Sequence, residues 1–169
     1  MVVRPLVADD WEGLFAAASD PEVWRVHPAH DRYQEPVFRE FFDGALQSGS
    51  AFVFVDKQSE RVIGSSRYHG LDESLSEVEI GWTFLARSHW GGEYNKEIKR
   101  LMLEHAFRYV ETVVFWVGET NAISMRAMEK IGGQLREETQ TRYLNDVGYV
   151  HVIFEITREN FLNDSRWRE

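Results

Sequence analysis

Large apolar residues alternate along Val78–Phe84, so that Val78, Ile80, Trp82 and Phe84 share one face of a strand. The turn Ser88-His89-Trp90-Gly91-Gly92 follows, and a helical pattern then runs to about Tyr109. Ile98, Leu101, Met102 and Tyr109 fall near one helix face, with Leu103, Ala106, Phe107 and Val110 on the adjacent one. Arg100, Glu104, Arg108 and Glu111 form a narrow stripe of alternating charge, which leaves most of the circumference for burial. Val113–Val117 is an unbroken apolar run, as a buried strand requires. Strand, helix and strand make a βαβ unit, for which parallel strands and a right-handed crossover are expected.

The flanking chain reads as shorter elements. Val2–Leu6 is a first strand, and Ala8-Asp9-Asp10 opens a helix with Asp9 or Asp10 as its cap. Trp11, Leu14, Phe15 and Ala18 face inward from it. Asp20-Pro21 is a second capped start, leading through Val23 and Trp24. After the loop His27–Asp31, a helix spans Pro36–Gln47 with Val37, Phe38, Phe41, Phe42 and Leu46 inward. Ala51–Val55 and Arg61–His69 pair as a hairpin about the polar turn Asp56–Glu60, and Gly70–Ser74 is a connector. Beyond Val117, a helix runs from about Ala122 to Ile131 and stops at Gly132-Gly133. Leu135–Leu144 and Tyr149–Ile156 form a last hairpin around Asn145–Gly148, and Thr157–Glu169 is polar and expected to fray. The whole, residues 1–169, is expected to be a single α/β domain with a mixed sheet.

Composition narrows the chemistry. Apolar residues make up 43 % of 169, enough for a sizeable core, and no run is long enough to span a membrane. Cysteine is absent, which excludes disulfides, thiolate catalysis and zinc–thiolate sites. No histidine pair has metal-ligand spacing with a third partner, so no metal is expected. A formal charge of −9 argues against nucleic-acid and anionic-membrane partners and suits a cationic one such as an amine. The N-terminal residues lack a signal-peptide pattern, so a cytoplasmic protein is expected, as monomer or homodimer.

A helix emerging from a glycine turn offers unpaired amides and a positive dipole end, a ready anion site. The order of elements, the turn Trp90-Gly91-Gly92-Glu93-Tyr94, and the later segment Asn121–Gly132 together resemble the GNAT N-acetyltransferases. Within that superfamily the resemblance is greatest to the branch of the ribosomal-protein N-terminal acetyltransferases, over about Val2 to Phe161. It implies a mixed, mostly antiparallel central sheet with a splayed parallel strand pair and helices on both faces. It also implies that the anion is the pyrophosphate of acetyl-CoA, the cosubstrate.

The family loop Gln/Arg-x-x-Gly-x-Gly/Ala matches here at Gly91, whereas Ser88 and Glu93 depart from it and Arg87 adjoins it. A carboxylate at Glu93 would repel pyrophosphate by roughly 1–4 kcal/mol at about 4 Å. Its place in the first helical turn, and Lys96, Lys99 and Arg100 beyond it, offset that. The resemblance assigns cosubstrate binding to Trp82, Thr83 and Phe84 for pantetheine, to Arg87, His89, Trp90, Gly91, Gly92, Glu93, Tyr94 and Lys96 around the phosphates, and to Asn121. Gly81 by itself suggests a bulge or a close backbone approach, and the resemblance implies that pantetheine enters there. Read without the resemblance, Lys96 is a solvated helix residue and Asn121 a helix cap.

Acetyl transfer to a primary amine, on a small molecule or a peptide N-terminus, needs a base for the amine and a proton for the leaving thiolate, but no enzyme nucleophile. Glu79, on the strand face opposite Ile80 and Trp82, is the first candidate base and Glu77 the second. Many relatives use a tyrosine as acid where this chain has Met128, and resemblance to the ribosomal-type branch implies the Ser124 hydroxyl as the candidate instead. His69, His89 and His151 are weaker candidates, His89 for phosphate contact and His151 for proton transfer or substrate contact. Trp24, His27, His30 and Tyr33 lie in the segment that covers the acceptor side in this fold. The competing expectation, motivated by Ser88, Glu93 and Met128, is a non-catalytic acyl-CoA-binding module.

Overall fold

A computed structural model describes residues Met1–Arg168. It has five helices and one seven-stranded sheet of order β1-β2-β3-β4-β5-β7-β6. The strands are β1 (Val2–Pro5), β2 (Ala51–Val55), β3 (Val62–Asp72), β4 (Glu77–Leu85), β5 (Thr112–Gly118), β6 (Gln134–Leu144) and β7 (Val147–Thr157). The helices are α1 (Trp11–Ala18), α2 (Glu35–Ser48), α3 (Tyr94–Ala106), α4 (Ala122–Lys130) and α5 (Arg158–Asn163). The chain forms two compact units, Met1–Tyr68 with Trp82–Leu101, and His69–Gly81 with the chain from Met102 on.

The first unit is built on aromatic packing. β1 and β3 flank β2 in antiparallel pairings. Leu14 and Ala18 of α1, Phe38, Phe41 and Phe42 of α2, and Trp24, Val53 and Phe84 share one core. The Trp24 indole N–H cannot be buried without an acceptor, and it donates to the Ala18 carbonyl at 2.8 Å. Gly64 marks where β3 and β4 approach closely, since a Cβ there would lie 2.2 Å from the Phe84 carbonyl oxygen. Asp10 occupies the N-cap position of α1, as expected, but its side chain makes no cap bond to that helix. A 3₁₀ turn, Ala8–Asp10, precedes that helix, and the buried Asp10 carboxylate turns back to accept from the Val7 amide (2.9 Å) and Arg4 (2.8 Å). Asp20 does cap, accepting the Glu22 amide at 3.0 Å.

The second unit holds a parallel pairing, Glu77–Glu79 of β4 with Thr112–Val114 of β5. β7 lies antiparallel between β5 and β6. The β6–β7 turn is shorter than expected. Asn145 and Asp146 alone occupy it, both left-handed (φ 49° and 62°), the two-residue geometry that matches strand twist. The end of the chain does not fray over its described length. Phe161 of α5 meets Phe107 and Trp167 at ring separations of 5.3 Å each, and both Phe161 and Trp167 are buried. Its polar composition concealed two aromatic anchors. Tyr109, expected to face inward, is exposed because α3 ends at Ala106.

Candidate active site

β4 carries the local irregularity on which the site depends. Val78 and Ile80 are buried as the alternation predicts, but Trp82 has φ 52° and is left-handed. The alternation resets there, so that Phe84 and Leu85 are both buried. The sequence placed this break at Gly81. Gly81 has another reason to lack a side chain, because a Cβ would lie 2.8 Å from a carboxylate oxygen of Glu79. A bulky residue in left-handed backbone is strained and persists where packing over-determines it.

In the first unit, β4 leads into a 3₁₀ turn, Arg87–His89, and then the glycine loop. Side chains here are tied down. The Trp90 indole N–H donates to the Leu85 carbonyl (2.8 Å), and Arg87 pairs with Asp20 (2.9 Å). Ser88 Oγ lies 2.9 Å from His89 Nδ1, and the His89 ring meets Tyr94 edge-on. Tyr94 donates to Asp56 at 3.2 Å, which anchors the first residue of α3 on the β2–β3 turn. Ser59 also donates to Asp56, and these bonds hold its carboxyl at about 2, below the ordinary range. Gly91 takes φ 73°, and a Cβ on it would meet nothing within 4 Å. The first helical bond runs from the Glu97 amide to the Glu93 carbonyl, so the amides of Tyr94, Asn95 and Lys96 precede the helical ladder. Gly91, Gly92 and Glu93 are exposed beside this helix end, with Lys96 half-buried in the first turn.

Lys99 does not offset Glu93 from the surface. It is buried, and its ammonium donates to Thr83 Oγ1 at 3.1 Å, which in turn is 2.8 Å from Ser66 Oγ. Burial pushes the Lys99 amine down to about 8.

In the second unit, Glu79 is 4 % exposed and its carboxylate is bound by the Arg142 guanidinium. Arg142 also lies 4.3 Å from the centroid of Trp116, and His151 packs beside the same indole. His151 Nδ1 donates to the Tyr149 carbonyl (2.8 Å), which leaves Nε2 as the acceptor of a neutral ring. Burial pushes His151 below its ordinary value, and the Arg142 cation adds to the effect. Glu77, the second candidate base, is held instead in a bridge, since Arg136 binds both Glu77 and Glu155. Asn121 caps α4, its Oδ1 accepting the Ser124 amide at 3.0 Å, and Ser124 is half-buried. Met128 is buried. Sequence reading missed Arg142 and Arg136. β6 carries charges of both signs, and only its register with β7 shows which of them share a face with Glu79.

Residues 1–134 match the sequence model of the family described as Acetyltransferase (GNAT) domain. The chain belongs to this GNAT family. A curated relative, the uncharacterised N-acetyltransferase p20 of Bacillus licheniformis, is 26 % identical over 112 residues, 63 % of this chain. The matched stretch spans 62 % of that relative's own length. Among solved structures, a GCN5-related N-acetyltransferase from Brucella melitensis superimposes with TM-score 0.81 at 19 % identity, over 98 % of this chain and 78 % of that one. A spermidine N-acetyltransferase from Vibrio cholerae, in complex with CoA and spermine, gives TM-score 0.69 at 15 % identity over 96 % of this chain and 98 % of that one. At such identities these structures share the fold with this GNAT domain. Among the described residues no helix is long and apolar enough to cross a membrane.

Proposed function

We propose that this GNAT domain transfers the acetyl group of acetyl-CoA to a primary amine by direct attack, without a covalent enzyme intermediate. The observation that carries the reading is the open, glycine-led N-terminus of α3 in a chain of this family, since backbone amides there suit a pyrophosphate. Lys96 adds charge, while Arg87, bound to Asp20, contributes less than its position suggests. Trp82-Thr83-Phe84 supplies main-chain groups for pantetheine and Asn121 a contact near it, in the manner the resemblance implies. The Trp82 kink gives β4 the local irregularity this requires. Relatives that act on amines, such as the spermidine enzyme, support the acceptor class. Affiliation with the ribosomal-protein branch and a cytoplasmic location belong to the same proposal.

Glu79 is the proposed base, acting through water, with Arg142 setting its position. Ser124 is the proposed donor to the leaving thiolate. Acetyl-CoA turnover, followed by thiol release across a panel of primary amines, tests the reading. Glu79→Gln is expected to lower kcat by about 10²–10⁴-fold, the range of lost general-base catalysis, with CoA affinity within about twofold. Saturable CoA binding without turnover of any amine would establish the binding-module alternative. An unchanged rate in Glu79→Gln would remove Glu79 as base.

A further inference from the structure

Two protons leave the acceptor nitrogen in acetyl transfer, and Glu79 takes one of them. A free primary amine is an ammonium at neutral pH. Loss of the first proton frees the lone pair that attacks the thioester carbonyl carbon. The nitrogen of the adduct still carries a positive charge, and an amide forms only when it gives up a second proton. A Glu79 already protonated cannot take that one, so a further acceptor is required.

The second unit holds a suitable group at the end of β5. His151 of β7 pairs across from Gly118, and cross-strand partners share a face of the sheet. Gly118 puts no side chain on that face, and a Cβ built there would meet nothing within 4 Å. The half-buried imidazole therefore borders open room. The Gly118 carbonyl accepts the Asn121 amide at 2.8 Å, which turns the chain into α4 and toward Ser124, the proposed donor to the thiolate. From β6 comes Arg142, the guanidinium that binds Glu79, and it shares the Trp116 indole with His151. Glu79 itself pairs with Val114, lower on the same strand.

The ring is set up to accept. Its Nδ1–H donates to the Tyr149 carbonyl, and Nε2 has no hydrogen-bond partner among the described residues. Burial and the Arg142 cation from β6 keep it neutral at pH 7, while Trp116 and Gly118, its neighbours on β5, carry no charge. A weak base suffices, because an ammonium on a carbon bearing oxygen and sulfur is more acidic than the free amine.

We propose that His151 is a second catalytic base, whose Nε2 takes the proton of the adduct nitrogen. The proposal rests on the acetyl-transfer reading. Glu79, through water, takes the first proton; the amine lone pair forms the C–N bond and the carbonyl π pair moves to oxygen. His151 takes the second proton. The carbonyl re-forms, the C–S bond breaks, and its electron pair leaves on sulfur, which is protonated from Ser124. Of the two protons removed, one is balanced by the thiol and the other passes to solvent. To test this, kcat is followed from about pH 5 to pH 9 at saturating acetyl-CoA, with spermidine, benzylamine and L-alaninamide as acceptors. Wild type, Glu79→Gln and His151→Gln are compared, each first checked for cooperative unfolding. His151→Gln is expected to lower kcat about 10²-fold, with the KM for acetyl-CoA within about twofold. The wild-type kcat is expected to fall in acid with a one-proton limb below the ordinary histidine value, kept in Glu79→Gln and lost in His151→Gln. If His151→Gln does not fold, the wild type decides: the limb moves down on warming, as an imidazolium's ionisation does and a carboxylic acid's does not. A limb insensitive to temperature, or a rate and limb unchanged in His151→Gln, overturns the second base and leaves acetyl transfer standing. A wild type that turns over none of the three amines removes the acetyl-transfer reading and this proposal together.

Discussion

Lys99 shows how a residue's environment can invert its apparent role. By sequence it is one of three cations near the phosphate turn; in the structure it is 3 % exposed and bonded to Thr83. An amine lowered to about 8 on folding binds fewer protons than the unfolded chain between pH 8 and 10.5. Its burial therefore opposes folding in full below about pH 8, and the penalty fades as pH rises toward the ordinary lysine value. Lys99→Met is expected to raise unfolding stability by about 1–3 kcal/mol at pH 7, with the gain shrinking by pH 9.5. Urea denaturation at the two pH values checks this; a less stable variant at pH 7, or a gain independent of pH, would contradict it. At the same scale, Glu79 could be singled out from the sequence by its strand position and the family resemblance. Its ion pair could not, because Arg142 lies 63 residues away and meets it only through β-sheet register.

Elements with strong periodicity were the legible ones. The α2 pattern predicted from Pro36 to Gln47 is found over Glu35–Ser48, and the parallel pairing expected from the βαβ pattern is present between β4 and β5. Irregularities were harder to read, since they depend on neighbours. The kink in β4 falls on Trp82, a residue type that local preference would not place in left-handed backbone. The last hairpin shows the opposite case. A four-residue turn was expected over Asn145–Gly148, but Asn145 and Asp146 tolerate left-handed geometry and close the turn by themselves. Asp146→Gly relieves the remaining strain at φ 62° and is expected to stabilise the protein by about 0.5–1 kcal/mol, read as a rise in the urea midpoint at unchanged m. Destabilisation would show that the Asp146 side chain contributes more than its backbone costs.

Across the whole molecule, fold class followed from the alternation of strand and helix patterns, but strand order did not. β7 inserts between β5 and β6, a non-local pairing that no local pattern encodes. The polar chain end was misread for a similar reason, since Phe161 packs on Phe107, far away in sequence, and Trp167 packs on Phe161 in turn. A net charge of −9 bears on the acceptor only broadly, in favouring a cationic partner. The central claim is that this GNAT domain moves an acetyl group from the thioester to an amine nitrogen. Incubation with acetyl-CoA carrying an isotopic label in the acetyl group, followed by mass spectrometry of acceptor and protein, tests it directly. The account predicts label on the amine nitrogen in step with free thiol, and none retained on the protein. Thiol release without labelled acceptor, or label held on a side chain as an intermediate, would contradict it.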